Sequence, residues 1–182
     1  NSSKGSQIIV SRSHPGLIKR LFELEVPEIS QNVVTIKSIA REAGKRSKIA
    51  VYAEEKNIDA VGACVGARGN RINRVVEELN GERIDVIPWS AEPAEFIANA
   101  LRPAQVLMTR VNEEQKSAEA IVADNQLSLA IGREGQNARL AAKLTGFKID
   151  IKCRSQVVDD VFESYAAQEE EAAKHKEQAE QQ

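Results

Sequence analysis

The feature that most constrains this chain is a short segment that occurs twice, Val65-Gly66-Ala67-Arg68-Gly69-Asn70-Arg71 and Ile131-Gly132-Arg133-Glu134-Gly135-Gln136-Asn137, with the Gly-x-x-Gly cores 66 residues apart. Downstream of each core comes a helical stretch, a glycine and a short alternating run. The runs are Glu82-Arg83-Ile84-Asp85-Val86 in the first copy and Phe147-Lys148-Ile149-Asp150-Ile151 in the second, now at an offset of 65. A repeat of this length is one supersecondary unit used twice.

The local patterns define that unit. Ile72, Val75, Val76 and Leu79 fall at i, i+3, i+4 and i+7, one apolar stripe of a helix that Gly81 stops. Ile84 and Val86, and then Ile149, Ile151 and Cys153, alternate with polar residues, the mark of a strand with one face on a core. A shorter helix precedes each Gly-x-x-Gly, at 58–65 and 125–131. Farther upstream, Leu17, Leu21 and Leu24 predict a helix over 15–24 with Ser13 as N-cap and Pro15 behind it, and 92–101 is its counterpart. Strands are expected at 33–43 and 47–53, then at 105–111 and 118–123. Each copy therefore reads α-β-β-α-α-β. The expected division is an entry segment over 1–12, units over 13–89 and 90–155, and a tail over 156–182. Trp89 to Glu92, between Pro88 and Pro93, is short enough to fix the units relative to one another. Trp89 is expected to pack between them.

Charge and composition narrow the function. Residues 1–155 carry 23 Lys and Arg against 19 Asp and Glu, a net of +4, whereas 156–182 carry 2 against 8, a net of −6. A basic body with an acidic tail suits a polyanion partner for the body. The tail is expected to be a solvated helix or disordered. With aromatics at 4%, a site built on stacked rings is excluded, leaving backbone, charge and aliphatic contacts. Cys64 and Cys153 lie far apart with no second ligand at metal spacing, so neither a disulfide framework nor a metal site is expected, and both should be buried, inert thiols in a cytoplasmic protein. No apolar run approaches the length of a membrane span. The polar start lacks a secretory signal, and a first residue other than Met reads as a fragment or processed product. Nothing forms a nucleophile–base pair, a carboxylate cluster or a P-loop, so no enzymatic activity and no cofactor are expected.

The α-β-β-α-α-β unit with Gly-x-x-Gly between its last two helices resembles the bacterial-type (type II) KH domain, an α+β fold. Two in tandem, with Ser11-Arg12-Ser13-His14-Pro15, Leu21 to Ile29, Ile39 to Gly44 and Arg46 to Val51 in front, are similar to the NusA family of transcription factors. The resemblance implies binding of single-stranded RNA in transcription elongation, termination and antitermination. It also implies RNA polymerase and other transcription factors as partners through regions not in this chain, and it makes 7–12 the last strand of an S1-type barrel, with 1–12 as the end of that barrel or a linker.

The candidate RNA contacts are Gly66, Ala67, Arg68, Gly69, Asn70, Arg71, Ile72 and Arg74, then Gly132, Arg133, Glu134, Gly135, Gln136, Asn137 and Arg139. The glycines let a sugar-phosphate backbone approach, and the helix that follows directs free N–H groups at an anion. Arg68, Arg71 and Arg74 read as unopposed cations, whereas Arg133 sits beside Glu134. Val65, Ile72, Ile131 and Ala138 are candidates for an aliphatic groove wall. Lys37, Arg41, Lys45, Arg46 and Lys48, with only Glu42 against them, form a second basic cluster on the first hairpin, read mainly as a solvated face. The alternative is a protein-interaction scaffold in which one or both KH units are degenerate for RNA.

Overall fold

The computed structural model describes residues 10–159, so residues 7–9 of the expected barrel strand and most of the acidic tail lie outside the described residues, and residues 10–12 form no strand. Two units follow one another with the same element order. In the first, α1 (Pro15–Glu25) and a one-turn α2 (Pro27–Ser30) lead into β1 (Val34–Glu42) and β2 (Arg46–Ala53). Then come α3 (Ala60–Val65), a 3₁₀ turn, α4 (Asn70–Glu78) and β3 (Arg83–Pro88). The second unit runs α5 (Pro93–Ala100), β4 (Val106–Asn112), β5 (Ser117–Val122), α6 (Leu127–Ile131), a 3₁₀ turn, α7 (Gln136–Thr145) and β6 (Lys148–Cys153). In both sheets the middle strand pairs antiparallel with the strand before it and parallel with the last, so the orders are β1-β2-β3 and β4-β5-β6. The fold is α+β, two tandem type II KH domains. Among the described residues no helix is long and apolar enough to cross a membrane.

Two details of α1 correct the sequence reading. Pro15 occupies the first helical position, which makes residue 14 the cap: His14 Nδ1 accepts from the Gly16 amide at 3.0 Å, and Ser13 stands outside. The buried stripe is Ile18 and Phe22, with Leu17 and Leu21 at its margin and Leu24 66% exposed. The helix stops at Val26 because Pro27 disfavours helical backbone in the residue before it.

The first sheet is covered on both faces. Its inner face joins Ile49, Val51 and Ile84 to Phe22, Cys64, Val75 and Leu79 from the unit's own helices. Its outer face presents Ala40, Ala50 and Ile87, and against these pack Phe96, Ile97, Ala100 and Leu101 from α5 and its end, with Leu140, Ala141 and Leu144 from α7. Two alanines on the sheet give helices room to approach closely. The proline-bounded connection adds to this contact. Trp89 N–H donates to Val51 O at 2.8 Å, and its ring meets Tyr52 edge-on at 5.2 Å and Phe96 at 6.4 Å, with Lys37 Nζ 4.8 Å from its centroid. Trp89 thus sits at the junction.

Candidate nucleic-acid interface

Each Gly-x-x-Gly segment is a tight turn between two helices, and the two copies have nearly the same backbone. Gly66 (φ 74°, ψ 172°) and Gly132 (φ 78°, ψ 169°) end α3 and α6 in a conformation that a side chain would oppose. A Cβ on Gly132 would also stand 2.8 Å from the Asn137 backbone nitrogen, so the first glycine lets the loop fold onto the next helix. The second glycines, Gly69 and Gly135, are left-handed too, but their nearest would-be neighbours lie at 3.4 and 3.9 Å. A Cβ there would make only ordinary van der Waals contact.

Between the glycines Arg68 (φ 53°) and Glu134 (φ 54°) are also left-handed, so the loops match residue for residue where their charges differ. Neither α4 nor α7 has a side-chain cap, and their first amides, those of Asn70 and Gln136, bond back to Ala67 O and Arg133 O of the turn. Ala67, Arg68, Arg133 and Glu134 are exposed at the tips, and Asn70 is exposed just behind.

The other candidates divide. Arg71 and Arg74 are not unopposed, because α1 and α2 bring two acids to α4 from far away in sequence. Arg71 Nη1 pairs with Glu28 at 2.9 Å and donates to Ala63 O at 2.7 Å, and Arg74 Nη1 lies 3.3 Å from Glu25. Glu28 titrates below its ordinary range, chiefly through a backbone hydrogen bond, with Arg71 adding to it against the cost of burial. Asn137 is withdrawn from any contact surface. It is completely buried, and its Nδ2 donates to Leu101 O and Ala130 O, both at 2.9 Å. Gln136 Nε2 and Arg139 Nε are held by Glu42 of the first unit at 3.0 and 2.6 Å. Of the groove candidates, Ile72 and Val65 are half-buried, as is Ala138, while Ile131 is 38% exposed.

The hairpin cluster is largely consumed rather than solvated. Arg41 forks onto Glu82, while Arg46 and Lys48 converge on Asp85. Neither acid is near the cluster in sequence, which is why only Glu42 was visible as its opponent. Lys48 is wholly buried and also donates to Arg102 O, at 2.8 Å, in the second unit; burial lowers its pKa against the pull of Asp85. Two cations that are not among the candidate RNA contacts come near the second loop. Lys45 and Arg83 line a cleft of about 550 Å³ with Gly132, Arg133 and Arg139. Residue spacing gave no signal for this, because the hairpin tip reaches the other unit only through the sheet–helix packing.

The sequence pattern of the NusA-like first KH domain matches residues 12–89, and that of the NusA-like second KH domain matches residues 93–159. The chain is a tandem KH segment of the NusA family. It is 57% identical over 181 residues to the transcription termination/antitermination protein NusA of Halalkalibacterium halodurans, covering 99% of this chain and 47% of the relative. The NusA of Bacillus subtilis is 62% identical over 151 residues, 83% of this chain and 41% of the relative. That of Thermus thermophilus is 47% identical over 176 residues, with 97% and 45% covered. The chain thus spans less than half the length of these NusA relatives. The crystal structure of APE1850 shares the fold at a TM-score of 0.53 and 24% identity, over 74% of this chain and 96% of that one.

Proposed function

We propose that both KH units bind one single-stranded RNA through their Gly-x-x-Gly loops, as the RNA-holding segment of a cytoplasmic transcription termination and antitermination factor. The relatives carry that description in their names, and RNA polymerase and other transcription factors would be engaged by parts of the protein beyond this segment. The role is binding rather than catalysis. The observation that carries the reading is the shared loop geometry: two left-handed turns with exposed tips, each leading directly into a helix that has no side-chain cap.

In this reading the backbone of the strand passes over Gly66–Gly69 and Gly132–Gly135, where the amides and the positive ends of α4 and α7 meet phosphates. Arg68 and Arg133 supply exposed cations at the tips. Bases lie beside the loops against Val65, Ile72 and Ile131, with Asn70 in reach of polar edges. The second loop is the weaker, since Glu134 opposes Arg133 at the phosphate path. Fluorescence anisotropy of a labelled ten-nucleotide single-stranded RNA, at two salt concentrations, tests the proposal. Saturable binding that weakens with salt supports it, whereas salt-insensitive or absent binding would favour a protein-interaction scaffold.

A further inference from the structure

We infer that Glu42, a residue of the first KH unit, is a positioning residue for the RNA-contacting loop of the second; this rests on the reading just proposed. Glu42 ends β1, and its side chain is 16% exposed. One carboxylate oxygen accepts from Arg139 Nε at 2.6 Å and the other from Gln136 Nε2 at 3.0 Å. Gln136 opens α7 directly after Gly135, and Arg139 sits one turn farther on. Arg139 Nη1 then donates back to Glu134 O at 3.0 Å, at the tip of the loop. A carboxylate on one unit therefore terminates a chain of contacts that ends on the backbone of the other unit's loop. Arg139, then Gln136, hold the Glu42 carboxyl at a pKa of about 2, so the contact persists at any working pH.

The first loop is braced differently. Its guanidinium is Arg71, which bonds Ala63 O and pairs with Glu28 of α2, all inside one unit. By the repeat offset the position matching Arg139 is Asn73, which carries no charge, and Glu42 at the end of β1 is matched by Asn112 at the end of β4. Asn137, at the position of Arg71, ties α7 to Ala130 O within the second unit, so that brace repeats, but the contacts to Gln136 and, through Arg139, to Glu134 O run to the other unit. The first loop is therefore self-sufficient, and the second depends on its neighbour to hold Glu134 and Gln136 in place.

Positioning and plain electrostatics give opposite signs for one substitution. Glu42 places a negative charge beside a loop that would meet phosphates, so its removal should tighten RNA binding if charge alone mattered. If Glu42 positions the loop, removal weakens it. The measurement uses the full 182-residue chain with the first loop disabled by Ala67→Asp and Arg68→Asp, and a labelled five-nucleotide single-stranded RNA at fixed salt. Glu42→Ala is expected to weaken binding about three- to tenfold, the range of one lost hydrogen-bonded contact. Glu42→Gln, of the same shape, should fall between, and Glu113→Ala, which removes the same charge from an exposed turn, should not weaken it.

Hydrogen exchange supplies a readout independent of RNA. In Glu42→Ala, amides 133–139 should exchange faster while 67–71 keep their parent rates. Affinity equal to or tighter than the parent overturns the inference even if exchange accelerates. Should the parent bind no RNA at all, the proposed function fails and exchange alone decides: unchanged rates at 133–139 overturn the positioning role, and a selective increase there upholds it.

Discussion

Glu82 accepts both arms of the Arg41 guanidinium, Nε to Oε1 and Nη2 to Oε2, each at 2.9 Å, with the two side chains 1% and 3% exposed. Ser47 Oγ, at 2.7 Å, and the Gly44 amide, at 2.9 Å, add two more donors. A carboxylate between β-hairpin and β3 thus closes the polar end of the first sheet. Truncating one partner strands the other's charge. Glu82→Ala is expected to destabilise the chain by about 3–5 kcal/mol, read from urea midpoints at pH 7.

The same carboxylate makes stability fall in acid. Burial works against ionisation of Glu82, but the bonds from Arg41, Ser47 and Gly44 outweigh it and hold its pKa below the ordinary value of 4.5. Glu42 is lowered to about 2, first by Arg139 and then by Gln136. A depressed folded-state pKa contributes stability above the unfolded value and loses it as pH falls through the folded one. Urea midpoints should therefore decline between pH 4.5 and about 2. In Glu82→Gln, that decline should be shallower.

The loop tips should separate affinity from stability. Ala67 and Arg68 are exposed, and Arg68 is left-handed, a conformation aspartate tolerates better than most side chains. Ala67→Asp with Arg68→Asp is expected to abolish most RNA binding by the first unit while moving the thermal midpoint by less than about 2 °C, a shift within the ordinary range for surface changes. A large drop in the midpoint would make the loop structural.

Asn137 should behave in the opposite way. Its buried amide holds Leu101 O and Ala130 O, tying α7 to α6 and to the end of α5. Asn137→Ala is expected to cost about 1–3 kcal/mol by leaving those carbonyls unpaired. Circular dichroism melts would read this, with RNA affinity falling only in step with the folded fraction.

Salt should act through few phosphates. Arg71 and Arg74 already face Glu28 and Glu25, which leaves Arg68, Arg133 and the loop amides as the principal contacts. With two to four phosphates neutralised, the log–log slope should be roughly −1.5 to −3. A steeper slope would mean that the strand displaces those acids. Affinity should also step upward as RNA lengthens from about 4 to about 8–10 nucleotides, because each loop clamps about four and the packed units hold both in one frame.

Much of this protein was legible from spacing alone. The duplicated Gly-x-x-Gly, the stripe through Val75 and Leu79 and the alternation at Ile84 are local periodicities, and a local period fixes an element wherever its burial follows from its own sequence. The order α-β-β-α-α-β, the turn residues and the tip positions Arg68 and Arg133 followed from those periods. Partners did not. Glu28 and Arg71 are 43 positions apart, Arg41 and Glu82 41, and Glu42 and Arg139 97. No period links such pairs: the first two meet through the folding of the first unit around its own core, and Glu42 meets Arg139 because the second unit's α5 and α7 seat on Ala40, Ala50 and Ile87. Sequence therefore determined which elements form and where a strand could touch them. The tertiary packing decided which charges remain free to do so, because an ion pair depends on distance in space and a repeat records only distance along the chain.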